Sequence, residues 1–182
     1  RGLGDVYKRQ DVGRLRDLNV VANFQPYWAW ADQYITELTM PKLGPERSNW
    51  LYPIGSILKT GAVVAFGSDW FVTSGNPMLG IETAVTRKDP LTNISDDFLM
   101  HERISLADAI AAYTINGAYV NFMEDESGSI EVGKYADLIV IDRNLFKIPE
   151  TEISEANVVL TMLDGEMIYG SWDMKVLEKT AL

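Results

Sequence analysis

The sequence predicts an α/β segment that gives way to an all-β segment near Asp125. Two short, largely apolar runs, 20–25 and 62–66, are separated by helical patterns, as is typical of parallel strands that helices cover. Further along, an Asp-Gly pair between two apolar runs within 158–169 is typical of a tight β-hairpin. The predicted fold class is therefore α/β, with a β-rich C-terminal part.

The chain of 182 residues divides into three predicted segments. Residues 1–10 lack helical or strand periodicity and carry three cations in an otherwise acidic chain. Both a non-native scar and a frayed native terminus fit this pattern, and we exclude the segment from fold reasoning. Residues 11–124 form the predicted α/β region, and residues 125–182 form the predicted β region.

The α/β region begins with an amphipathic helix and a strand. Val12, Leu15 and Leu18 have helical spacing and predict the end of a helix. The β-rich run Val20–Gln25 follows and is stopped by Pro26, which predicts a buried strand.

A second helix and strand lead to the first chemically interesting residue. Arg47–Thr60 is predicted to be a helix that Gly61 closes at its C′ position. Ala62–Phe66 is uniformly apolar and predicts a strand that is covered on both faces. This strand ends in Gly-Ser-Asp, which places Asp69 just beyond it.

Two further helices have recognisable N-termini. Asn76 is a predicted N-cap with Pro77 at the first helical position, and that helix runs toward Arg87. Ser105 is predicted to cap the next helix, with Asp108 as the acid of a capping box.

The spacing of apolar residues changes from helical to strand-like after Met123. The helical stripe that begins at Leu106 is predicted to be interrupted by Gly117 and to continue toward Phe122. Leu138–Ile141 is a predicted strand, and Asp164-Gly165 predicts a type I′ turn between the last two strands.

Composition excludes several classes of site and partner. Lys and Arg number 16 against 26 Asp and Glu, so the net charge of −10 disfavours nucleic acid and an anionic membrane as partners. This chain has no Cys and one His, which excludes a thiolate site, a Cys nucleophile and a centre built from two of its own imidazoles. We expect an aqueous compartment, and the lack of Cys favours the cytoplasm without excluding secretion.

Asp69 is the first catalytic candidate. In parallel α/β folds the catalytic groups lie at the carboxyl ends of strands, where a carboxylate can bind a divalent metal or act as a general base. An Asx turn or an N-cap is the structural alternative for an Asp in this position.

Other candidate features have weaker functional interpretations. The 128–134 run matches the P-loop spacing, but Tyr135 replaces the required Ser or Thr, so we interpret the run as a turn. His101 is expected to be a solvated loop residue. Arg47 could pair with a substrate carboxylate or balance local acids. An aromatic concentration could form a binding wall or cover a core edge; its members are Tyr27, Trp28, Trp30, Tyr34, Trp50 and Tyr52.

Six motifs taken together resemble one family. In chain order they are FQP at 24–26, GPER at 44–47, FGSD at 66–69, AVTR at 84–87, AIAAYT at 109–114 and GSIEVGKYADLI at 128–139. In order and spacing they resemble the amidohydrolase superfamily, in particular its amidohydrolase-3 branch, which includes YtcJ-like proteins and N-substituted formamide deformylases. The likeness extends from Asp11 to about Ser171.

The resemblance implies a fold and a reaction. The fold is the C-terminal part of a (β/α)₈ TIM barrel, followed by part of a small β-sandwich. The 20–25 run would be the seventh barrel strand and 63–66 the eighth. The implied reaction is metal-dependent hydrolysis of a C–N bond in a small amide or formamide.

The resemblance also implies residue roles. Asp69 matches the aspartate that contacts the metal and takes a proton from the attacking water. Gln25, Arg47 and Trp70 match substrate-pocket positions loosely. Lys134 and Asp137 lie in the matching return segment to the sandwich, where a structural role is implied.

The chain departs from the family in lacking its N-terminal part. A TIM barrel takes about 250 residues, and the family's His-x-His pair and later histidine ligands match nothing here. We therefore expect a fragment that hydrolyses nothing alone and binds no catalytic metal tightly, while the full-length parent binds a divalent metal, expected to be zinc. Its expected partners are the missing N-terminal part and a small substrate, and a homodimer stays open. A non-catalytic small-molecule or sugar-binding module and a degenerate, inactive family member are the alternatives.

Overall fold

The computed structural model describes residues 9–94 and 98–171 of the chain and has a mixed α/β architecture. Residues 1–8 of the predicted non-native segment and residues 172–182 of the predicted β region lie outside the described residues. The helices are α1 (Val12–Asp17), α2 (Met40–Leu43), α3 (Pro45–Ser48), α4 (Ile54–Lys59), α5 (Pro77–Thr86), α6 (Leu106–Tyr113) and α7 (Ile115–Val120). The strands are β1 (Ala22–Phe24), β2 (Val64–Phe66), β3 (Leu138–Ile141), β4 (Val158–Leu163) and β5 (Glu166–Gly170).

The two predicted strands of the α/β region pair in parallel, as expected. The register aligns Ala22 with Val64 and Phe24 with Phe66. All three residues of β2 are buried, which confirms that the strand is covered on both faces. Parallel pairing brings the carboxyl ends of β1 and β2 to one edge.

The predicted single helix over 47–60 is wrong, because the structure divides this stretch into α3 and α4. Tyr52 adopts a left-handed backbone conformation with φ of 47°, and Pro53 follows it. A proline interrupts a helix by removing an amide donor and by restricting the residue before it. The predicted end of the helix is confirmed: Gly61 follows the last turn of α4 with φ of 84° and donates its N–H to Leu58 O.

The N-termini of α5 and α6 are capped as the sequence predicts. Asn76 accepts the N–H of Met78 at 3.0 Å, and Ser105 accepts the N–H of Asp108 at 3.1 Å. The Asp108 carboxylate accepts the hydroxyl of Ser105 at 2.6 Å. The side chain of Ser105 therefore makes both hydrogen bonds to Asp108.

The helix that follows is interrupted three residues earlier than predicted. Gly117 lies inside α7, and the break between α6 and α7 falls at Thr114, with φ of −115° and ψ of −97°. The prediction of an interruption at Gly117 is therefore wrong in position. Gly117 has an ordinary helical backbone and is tolerated there, since a single glycine costs a helix only about 1 kcal/mol.

The C-terminal part forms a three-stranded antiparallel sheet in the order β3-β4-β5. The β4-β5 turn has φ of 48° at Asp164 and 78° at Gly165, which confirms the type I′ hairpin. Asp137 accepts the N–H of Asp164 at 2.8 Å and so holds the turn against the start of β3.

The 128–134 run is a turn, as predicted, and Lys134 closes it. The ammonium of Lys134 donates to Glu124 O and, at 2.7 Å, to Ser129 Oγ. The Glu131 carboxylate lies 3.7 Å from the same ammonium. These contacts confirm a structural role for Lys134.

One apolar core connects both parts of the described chain. It contains β1, β2 and the inner faces of α4, α5 and α6. Leu145, Ile153 and Ala156 from the β3–β4 connection join the same core. That connection ends in a 3₁₀ helix, Glu150–Glu155, which packs against α5. In the described part of the chain, no helix has the length and apolarity of a transmembrane span.

Candidate functional site

The candidate site is the edge formed by the carboxyl ends of β1 and β2. Gln25 directly follows β1, and Asp69 lies three residues beyond β2. The N–H of Gly67 donates to Phe24 O at 2.9 Å, which extends the pairing of the two strands past the end of β2. The structure thus brings Gln25, Asp69 and Trp70 to the same edge.

Asp69 has a distinct backbone and an exposed side chain. Its φ of 59° lies in the left-handed region. Asp and Asn visit this region far more readily than other non-glycine residues, because their short polar side chains can hydrogen-bond locally. The backbone therefore favours Asp or Asn at this position.

A tight turn holds the residues around Asp69. Asp69 O accepts the N–H of Val72 at 2.8 Å and that of Thr73 at 3.3 Å. Ser68 Oγ accepts the N–H of Trp70 at 3.1 Å, and the Thr73 hydroxyl donates to Ser68 O. The loop is thereby fixed to the end of β2 by its own polar groups.

Large apolar side chains stand at the tip of this turn. Trp70 is 74% exposed, Phe71 is 84% exposed and Val72 is 67% exposed. The rings of Trp70 and Phe71 make an edge-to-face contact with centroids 5.8 Å apart. The peptide bond between these two residues is cis.

Asn23 on β1, which no sequence motif marks as functional, contacts Gln25 of the same edge. Gln25 Nε2 donates to Asn23 Oδ1 at 3.5 Å. The signal in the sequence was a lone amide inside the apolar run 20–24.

The two helices after α5 support β2 from behind. Asn116 of α7 donates its side-chain N–H to Val64 O at 2.8 Å. The ring of Tyr113 on α6 contacts Phe66 edge to face, with centroids 5.3 Å apart. Burial raises the pKa of the Tyr113 hydroxyl, which is therefore protonated at neutral pH. This packing sets the position of β2, and β2 in turn positions Asp69.

The other sequence candidates occupy different surroundings. Arg47 is exposed, and its guanidinium donates to Leu43 O at 2.8 Å and to Lys42 O at 3.3 Å, at the end of α2. His101 is exposed in a 3₁₀ turn, as expected of a solvated histidine, with Nε2 3.4 Å from the Glu102 carboxylate. Of the aromatic concentration only Tyr34 is exposed, and Trp28 and Trp50 pack against the core.

A buried polar cluster lies at the amino end of α4. Glu102 accepts the N–H of Ser56 at 2.6 Å and the Ser56 hydroxyl at 2.5 Å. Arg87 donates to Tyr52 O at 3.1 Å and to Leu51 O at 3.3 Å. Burial lowers the pKa of Arg87 to about 10 against the opposing effect of Glu102, so Arg87 is charged at neutral pH. The cluster stabilises the break between α3 and α4.

The described residues by themselves do not fit a catalytic metal. They contain no group of three or more His, Cys, Asp or Glu side chains placed to hold an ion. Catalytic zinc takes three protein ligands and keeps a fourth position open. Asp69 offers one carboxylate at the candidate edge.

Three comparisons identify similar proteins. The model of the amidohydrolase family Amidohydro_3 matches residues 3–169. The chain is 34% identical over 159 residues to protein LONG AFTER FAR-RED 3 of Arabidopsis thaliana. This match covers 87% of this chain and 26% of that protein. It is also 34% identical over 119 residues to N-substituted formamide deformylase of Arthrobacter pascens, a match that covers 65% of this chain and 21% of the relative.

Among solved structures, an uncharacterized metal-dependent hydrolase from Pyrococcus horikoshii has a TM-score of 0.68 and 25% sequence identity. The match covers 81% of this chain and 29% of that one. The chain thus spans between a fifth and a third of the length of these similar proteins.

Proposed function

Because this chain belongs to the amidohydrolase family, we propose that it is the C-terminal part of a metal-dependent hydrolase acting on a non-peptide C–N bond, in an amide or a formamide. The similarity to a formamide deformylase supports this bond type, and the similarity to a metal-dependent hydrolase supports the metal. The short span of these matches supports a longer parent protein.

The architecture of that parent follows from the two sheets. We assign β1 and β2 to the seventh and eighth strands of a (β/α)₈ barrel, and the β3-β4-β5 sheet to part of a small β-sandwich. The parallel pairing of β1 and β2 and the helices behind β2 support the barrel assignment. The earlier strands would come from the N-terminal part of the same protein.

The position of Asp69 at the end of β2 is the observation that carries the proposed mechanism. Asp69 acts as the general base: a carboxylate oxygen takes a proton from the attacking water and then delivers it to the leaving nitrogen. The turn over 68–73 holds the backbone of Asp69 through Val72 and Thr73, so the point from which the side chain extends is fixed. Gln25 and Trp70, on the same edge, are assigned to the substrate pocket. Arg47 is assigned to it by the family resemblance alone, since its guanidinium donates to the carbonyls that end α2.

Asp69 would supply one ligand to a divalent ion, for which we propose zinc, and the remaining ligands would come from an N-terminal part of the parent protein. Such an ion would lower the pKa of bound water toward about 7 and polarise the scissile carbonyl. The isolated chain is accordingly proposed to bind the metal weakly and to be inactive.

A non-catalytic binding module is less well supported. A sugar-stacking surface needs exposed aromatic faces, and of the aromatic concentration only Tyr34 is exposed. Trp28 and Trp50 pack against the core and Tyr52 is buried, which favours the structural interpretation for these three residues.

The test uses the full-length parent, obtained from the reading frame upstream of Asp11, with the substitution Asp69→Asn. Asn tolerates the left-handed backbone at this position, so the variant removes the charge without straining the turn. We expect kcat/KM for an N-substituted formamide to fall by about 10²–10⁴-fold, which is the usual contribution of a general base. Bound zinc, measured by elemental analysis, should fall as well.

Asp125→Asn is the matched control, because Asp125 is exposed in the turn after α7 and far along the chain from β2. Its activity and zinc content should equal those of the parent. Full activity of Asp69→Asn would refute the assigned base. A start codon near Asp11 with no upstream barrel sequence would instead favour the binding module.

A further inference from the structure

We propose that Phe71, together with Trp70, determines substrate specificity by binding a large apolar substituent on the nitrogen of the scissile bond. This inference rests on the proposed function, and it deepens that function by naming a class of substrate. The observation behind it is the pair of exposed aromatic rings directly after the proposed base.

The loop geometry keeps both rings at the candidate edge. Hydrogen bonds to Ser68 and Asp69 close the turn on either side of Phe71. The rings therefore stand at the tip of a short, internally bonded turn and do not fold back into the core. Because the turn begins at Asp69, the rings and the carboxylate share one rigid support.

The chemistry of the loop favours an uncharged, apolar ligand group. Residues 67–75 contain one charged side chain, Asp69, and no Lys or Arg. A substituent with a negative charge would be repelled by Asp69 and would find no counter-ion in this loop. The edge-to-face contact between Trp70 and Phe71 leaves most of both side chains exposed, so an apolar group gains by covering them.

The proposed direction of proton transfer decides which side of the substrate meets the rings. Asp69 delivers its proton to the leaving nitrogen, so this nitrogen must approach the carboxylate within hydrogen-bond reach. The substituent on the nitrogen is then the part of the substrate nearest to the loop tip.

The experiment compares two probes on the full-length parent and on Phe71→Ala. The probes are N-hexylformamide and N-methylformamide, which share the reacting group and differ in apolar length. We expect the parent to prefer the hexyl compound, and the ratio of the two kcat/KM values to fall about tenfold or more in Phe71→Ala, in line with the cost of lost contacts in apolar pockets. Phe71→Leu should restore part of the ratio.

Phe146→Ala is the control, since Phe146 is also a strongly exposed phenylalanine but lies in the β3–β4 connection. It should leave the ratio as in the parent. An equal loss on both probes in Phe71→Ala would overturn the inference, since it would mean a structural role. A lowered melting temperature with an unchanged ratio would also overturn it, because another segment or a second copy of the chain would then cover the ring.

Calorimetric binding of the two probes separates this inference from the proposed function. A parent that hydrolyses no formamide or amide refutes the proposed function. Tighter binding of the hexyl probe that is lost in Phe71→Ala supports the specificity role whatever the turnover, and equal binding of both probes by the parent refutes it.

Discussion

Removing the carboxylate of Glu102 should destabilise the protein strongly. Glu102 is 1% exposed and accepts two short hydrogen bonds from Ser56, at the amino end of α4. Burial lowers the pKa of Arg87, and the negative charge of Glu102 opposes that lowering. Glu102→Ala therefore leaves the half-buried amide and hydroxyl of Ser56 without this acceptor, and the buried guanidinium of Arg87 without this counter-charge.

The magnitude follows from these contacts. A hydrogen bond to a charged group contributes about 1.5–3 kcal/mol, and removing one partner of a buried ionic arrangement costs about 3–5 kcal/mol. We expect Glu102→Ala to lower the free energy of unfolding by about 3–5 kcal/mol. Glu102→Gln keeps an acceptor for the Ser56 N–H and should cost less.

The assay is urea denaturation of the full-length parent, followed by far-ultraviolet circular dichroism. Glu46→Ala, at an exposed position in α3, is the matched control and should change the free energy by less than about 0.5 kcal/mol. A loss below about 1 kcal/mol in Glu102→Ala would mean that water replaces the carboxylate, and would refute the reasoning.

Two further predictions concern packing and pH. In Gly80→Ala the new Cβ would overlap the Tyr113 hydroxyl and lie 3.1 Å from Pro26 Cγ, so we expect the free energy of unfolding, measured by urea denaturation, to fall by about 1–3 kcal/mol. The control is Gly13→Ala in α1, whose new Cβ meets nothing within 4 Å and should be neutral or stabilising. Equal effects of the two substitutions would contradict the packing argument. Burial raises the pKa of the Glu82 carboxyl above its usual value of 4.5, so the native state binds this proton more tightly than the unfolded state. The contribution of Glu82 to stability is therefore greatest below pH 4.5 and is lost as the pH rises through the native pKa. The stability of Glu82→Gln relative to the parent should rise between pH 4.5 and 7.5, and a difference that is independent of pH would contradict the assignment.

The elements that the sequence predicts correctly depend on neighbouring residues. Asn76 and Ser105 cap their helices through residues two and three positions away, and the positive φ angles of the β4-β5 turn suit Asp164 and Gly165 themselves, although Asp137 also binds this turn. β2 was predictable because it is apolar on both faces. In each case the residues that determine the structure lie within one turn or one strand of one another.

The errors arise where distant residues decide the structure. The break between α3 and α4 has a local signal in Pro53, but its geometry is held by Arg87, some 35 residues away, through the carbonyls of Leu51 and Tyr52. The interruption at Thr114 lets Asn116 reach Val64 O, 52 residues away in sequence. No pattern in the sequence reveals such pairs. The candidate edge was predictable only as far as Asp69 follows a strand, and the turn that presents Trp70 and Phe71 was not.

The chain itself determines where the proposed base stands, even if the other ligands come from outside it. β2 is held from behind by the side chain of Asn116 and by the ring of Tyr113, and Asp69 is held by the turn that follows β2. All of these supports lie within residues 64–116. Under the proposed function, an N-terminal part would bring the other ligands to an edge that this chain already fixes. It follows that substitutions behind β2, such as Gly80→Ala, should disturb the reaction through the position of Asp69, although they contact neither metal nor substrate.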